Sequence, residues 1–143
     1  MTGHVFVIQG DTRRLACDAY LHATDKRLRS DGGWTNSAPN AANRVDPHYE
    51  SDFRSEVRYT LPLLDRPGHE HEPKTILTAV PYYGMHTAEE IVPRLAEFFR
   101  IGAEIAHERS ATARLGKRDR PLLAVPLFGA GGGGGGAFRG QLL

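Results

Sequence analysis

The chain has 143 residues, 40% apolar and 24% charged, with a formal net charge of +1. That suits one domain with a core of its own and leaves no overall field that would demand a nucleic-acid partner. A single cysteine, Cys17, excludes an internal disulfide and fits a reducing compartment. The N-terminal apolar run is too short for a signal peptide, and no stretch approaches the roughly 20 apolar residues of a membrane span, so a soluble cytoplasmic protein is expected.

Val5 to Ile8 is a β-branched and aromatic run stopping at Gln9-Gly10-Asp11-Thr12, which predicts a strand followed by a tight loop. A second short strand is expected from Ala19 to Ala23, ending in Thr24 and Asp25. Asp11 and Asp25 thus stand at strand ends, where open sheets of alternating elements commonly meet polar ligands. The loop after Lys26 contains Gly32-Gly33, which permits close backbone approach, and Trp34, which offers a large flat face.

From Thr35 to Ser55 the chain is polar and weakly periodic, and reads as a long loop with at most a turn of helix. Glu56 to Leu61 alternates like a strand exposed on one side, and Pro62 ends it. Asp65 to Pro73 is a turn-rich connector. Its His69-Glu70-His71-Glu72 reads as a solvated loop, because no further ligands accompany it, and no metal site is expected.

Lys74 to Val80 predicts a central strand, closed by Pro81-Tyr82-Tyr83-Gly84. A helix follows. Thr87 and Glu90 have capping-box spacing, and Ile91, Leu95, Phe98, Gly102 and Ile105 fall on one stripe. Pro93 predicts a kink within it, while Glu104, Glu108 and Arg109 belong on the solvent side. After a basic connector, Arg114 to Arg120, the run Pro121 to Ala130 enters six glycines, Gly131 to Gly136. It reads as a strand covered on both faces that ends in a phosphate loop, since successive glycine N–H groups can converge on an anion. A flexible linker is the competing reading. Ala137 to Leu143 looks like the start of a helix, so the sequence is expected to be the N-terminal part of a larger protein.

Taken in order, these pieces resemble the macrodomain family, modules that bind ADP-ribose and related NAD-derived nucleotides. Val5 to Thr12 with Asp18-Ala19 resembles the family's first strand, its Gly-Asp turn and the opening of its second strand, although Gly10-Asp11-Thr12 lacks the usual intervening aliphatic residue. His22-Ala23-Thr24-Asp25 falls where the family has Asn-Ala-Ala-Asn, and Gly32-Gly33-Trp34 where it has its first glycine loop. Lys74 to Gly84 and Val125 to Gly131 are similar to two further strands, the latter with the loop that wraps a diphosphate.

The resemblance implies an α/β fold with a mixed, mostly parallel sheet flanked by helices and a ligand crevice at the strand ends. The family's final strand and helix have no counterpart after Leu143. It further implies that Asp11 accepts from the adenine amino group, that Gly32 and Gly33 line the distal ribose and phosphate, and that Gly129, Ala130, Gly131, Gly132, Gly133 and Gly134 surround the diphosphate. Thr12, Ala23, Asp25 and Trp34 complete the expected lining. No cofactor is implied.

The function expected is that of a sensor or reader of ADP-ribose or a related NAD-derived nucleotide, serving an effector domain beyond Leu143. An ADP-ribosyl hydrolase using Asp25 or His22 is an alternative. It is less favoured because the positions of the family's catalytic asparagine and acid hold Asp25 and Trp34-Thr35. A non-nucleotide interaction domain with a C-terminal glycine linker is the third reading.

Overall fold

The architecture is that of a computed structural model describing residues 3–10, 14–26, 28, 41–81, 87–112 and 120–126. Its elements are β1 (Ala19–Thr24), a 3-10 turn (Ala41–Arg44), α1 (Pro47–Arg54), β2 (Thr60–Pro62), β3 (Lys74–Ala79), α2 (Ala88–Thr112) and β4 (Leu123–Ala124). The described strands form one sheet in the order β2-β3-β1-β4. β1 is parallel to both β3 and β4, and β2 is antiparallel to β3. The mixed, mostly parallel α/β sheet with helices is therefore as the sequence led us to expect.

Strand alternation divides the core. Ala19, Leu21 and Ile76 point to one face and pack with Ile91, Phe98 and Ile101 of α2. Leu77 and Ala79 point to the other, against Phe53 of α1 and Leu61 and Leu63. One helix thus covers each face, and β3 is buried from Thr75 through Ala79. Such double coverage is what lets a parallel strand read as a near-continuous apolar run.

The stripe of α2 is buried as expected at Ile91 and Phe98, with Leu95 and Ile105 packed alongside. Pro93 lies inside the helix without ending it. The carbonyl that loses its partner belongs to Glu89, which is exposed and open to water. At Gly102 the helix comes close to β4: a Cβ there would lie 3.1 Å from Leu123 Cδ1.

Several expectations are corrected. Val5 to Ile8 is not a strand; the four side chains are 84, 75, 74 and 59% exposed. Strand preference expresses fit to a pleated, half-buried surface, and this segment has no neighbouring strand within the described residues. The expected loop from Thr35 to Ser55 contains α1. Asp46 caps it by accepting the His48 N–H at 3.0 Å, Pro47 occupies its first turn, and Phe53 is its buried anchor.

Glu56 to Arg58 closes α1 rather than opening a strand. The Glu56 N–H bonds the Phe53 carbonyl and the Val57 N–H bonds that of Asp52, with Glu56 left-handed at φ 62. This is a Schellman closure with glutamate where glycine is usual, so β2 begins only at Thr60. β4 is a two-residue edge strand, flanked by β1 alone among the described strands, with Leu122 still 41% exposed. Arg109 does not face solvent freely. It donates to the Glu72 carbonyl at 2.6 Å and to the Asp65 carboxylate at 2.7 Å, clipping the connector 65–73 to α2.

Candidate functional site

Because β1 and β3 are parallel and in register, Thr24 and Ala79 end at the same edge of the sheet, whereas β4 runs in the same direction but its last residue, Ala124, stands opposite Tyr20. The Val80 N–H donates to the Thr24 carbonyl at 2.8 Å, so the first two ends are tied together. From there the chain after β1 leads to α1 on one face and the chain after β3 to α2 on the other. Adjacent parallel strands whose connections part in this way leave a crevice at their carboxyl ends, the usual ligand position in open α/β sheets. On the far side of β1, β4 runs through Val125 and Pro126 toward the glycine run in the sequence.

Asp25 follows β1 directly and is half-buried at this edge. Its carbonyl accepts the Leu28 N–H at 3.1 Å, and Leu28 takes a left-handed φ of 55. A leucine there costs roughly 1–2 kcal/mol. The side chain offsets the cost by packing on the cluster of Phe53, Leu77 and Ala79. Backbone strain of this kind persists only where the surrounding packing over-determines it.

Ala23, by contrast, packs its methyl against the α2-side cluster, so it shapes the crevice only through its backbone. His22 shares the α1 face of β1 with Tyr20 and Thr24, two residues short of the strand's end. The structure thus places Ala23 and Asp25 at the candidate edge. Asp11, Thr12, Gly32, Gly33, Trp34, Gly129, Ala130, Gly131, Gly132, Gly133 and Gly134 lie outside the described residues.

No cluster of three or more metal-ligating side chains occurs among the described residues. His69 to Glu72 sits before the start of β3, at the amino edge opposite the crevice. Glu72 is held below the usual carboxylate range by Arg66, at 2.5 Å, and then by His69, at 2.9 Å. Glu70 is lowered by backbone N–H groups, first its own and then that of Gly68. Glu70 is exposed and Glu72 half-exposed, in keeping with a solvated loop.

Sequence reasoning overlooked a polar layer between α2 and the start of β2. Arg94, 4% exposed, stacks 4.3 Å over the Tyr59 ring and donates to the Glu90 carbonyl. The Tyr59 N–H donates to Glu97 at 2.7 Å, and Arg58 stacks 4.3 Å over Tyr49. Arg94 was detectable, since 91, 94, 98, 101 and 105 share one helical spacing and a charge within that stripe is out of place. Beside this layer an open groove of about 290 Å³ runs along the outer side of β2, between Tyr49, Arg58 and Leu63 and the α2 residues Arg100, Glu104 and Ile105. Its lining carries both signs of charge, and it lies away from the crevice. No family model, curated protein or solved structure matches the chain.

Proposed function

We propose that the chain is a nucleotide-binding module of the macrodomain type, reading ADP-ribose or a related NAD-derived nucleotide at the carboxyl edge of β1 and β3. The observation that carries this reading is the fork between β1 and β3. It supports a crevice beside Asp25, and β4 runs in the same direction as β1 toward the glycine run in the sequence. A carboxylate accepts from ribose hydroxyls, and glycine amides can crowd a diphosphate without Cβ obstruction. The adenine-facing role of Asp11 and the ribose-facing roles of Gly32 and Gly33 belong to the same proposal.

Titration calorimetry with ADP-ribose, NAD and AMP tests it. Saturable heat with ADP-ribose is expected, weakened by about tenfold or more in Asp25→Ala, through loss of a charged acceptor, and in Gly132→Glu, through repulsion of the diphosphate. Absence of heat with all three nucleotides from the folded chain refutes the reading. Binding of equal strength in both variants would move the site away from this edge.

A further inference from the structure

Val5, Phe6, Val7 and Ile8 are consecutive, all more than half exposed, and all of the types most favoured in strands. Single exposed apolar residues are ordinary, but a contiguous run marks an interaction surface. At one end of the sheet β4 has β1 on one side and, among the described residues, no strand on the other. Leu122 turns its backbone toward β1, with its N–H on the Asp18 carboxylate at 2.7 Å and its carbonyl accepting the Asp18 N–H at 2.8 Å. Alternation therefore directs the N–H and C=O groups of Leu123 and Val125 outward.

Pro121 and Pro126 bracket that edge, and neither has an N–H to donate, so the stretch open to pairing is Leu122 to Val125. It equals Val5 to Ile8 in length, and the latter contains no proline. Leu123 and Val125 are only partly buried against the α2-side core, so an added strand would extend that core. The opposite edge is less suited. β2 contains Pro62, Val45 bridges Leu63, and the Leu64 N–H is taken by the Arg44 carbonyl.

We propose that Val5 to Ile8 of one copy adds as a strand to the Leu122 to Val125 edge of a second copy, and that the exchange is reciprocal. Each copy supplies one apolar segment and one open edge, so two copies satisfy both needs about a two-fold axis and leave neither exposed. A second copy is the fitting partner because segment and edge belong to the same chain and are always present in equal number.

Sedimentation of the full chain over a range of concentrations is expected to show a monomer–dimer equilibrium. Phe6→Asp with Val7→Asp alters side chains that the single copy exposes, so the fold should persist while the dimer dissociation constant rises by about tenfold or more. Val125→Pro, which removes an outward N–H, should act in the same direction. In a Cys17→Ser background, a Val7→Cys chain mixed with a Leu123→Cys chain should give a covalent heterodimer with a short bis-maleimide. A chain that stays monomeric throughout, or a dimer indifferent to the aspartates, overturns the proposal. So does a cross-link that forms only within a single chain carrying both cysteines.

Discussion

Thr60 and Thr78 stand directly opposite each other across β2 and β3, both at 0% exposure, and neither hydroxyl has a hydrogen-bond partner among the described residues. An unsatisfied buried hydroxyl costs about 1–3 kcal/mol. Valine keeps the branched shape, suits a strand, and adds a buried methyl worth about 0.8 kcal/mol. Taking the lower end, because the replacement methyl must fit a packed layer, Thr78→Val should stabilise by about 1 kcal/mol. The double replacement with Thr60→Val should give about 2 kcal/mol, a rise of about 6 °C in Tm for a chain of this size.

Urea unfolding at unchanged slope is the assay, read as a double-mutant cycle. Independent, additive gains are expected, since each hydroxyl is unsatisfied by itself. If each single change destabilises and the second recovers the loss, the hydroxyls share a partner such as a buried water, and the reasoning is refuted.

Glu56→Gly should stabilise by about 1 kcal/mol, because glycine adopts the left-handed φ of 62 at the end of α1 without steric cost; the half-exposed 3.6 Å pair with Lys26 offsets little of this, and thermal unfolding measures the balance. Arg94→Met should be neutral or stabilising by about 1 kcal/mol, as it removes a buried guanidinium whose Nε has no partner among the described residues, whereas Arg94→Ala should cost about 2 kcal/mol through the space it opens beneath Tyr59. Equal losses in chemical denaturation for the two variants would show that the charge itself is needed. Glu72 should titrate below a free glutamate in side-chain NMR, and Arg66→Ala should move it back up. A carboxylate lowered in the folded state favours folding above its unfolded pKa and loses that contribution as pH falls through the folded one, so protection of the 65–73 connector should weaken only on acidification.

The candidate site was legible in part. The strand-end position of Asp25 followed from an apolar run stopping at polar residues, and the structure places it so. Its neighbour Leu28 was not legible, because a left-handed leucine is tolerated only where a cluster from α1 and β3 receives its side chain. Ala23 looked like lining from its place in the motif. Strand alternation turns it into the α2-side core, an outcome that depends on which face the helix covers.

Local pattern by itself determined β1, β3 and the stripe of α2, since each repeats the period of its own backbone and meets little competition from neighbours. Asp46-Pro47 carried an N-cap signal as well, hidden by the polarity of the residues around it. Which strands lie at the sheet's edge, which of the helix's charged residues is buried, and whether an apolar run such as Val5 to Ile8 finds a partner were decided only by tertiary structure. Burial and pairing are properties of two segments at once, and the second segment lies far along the chain.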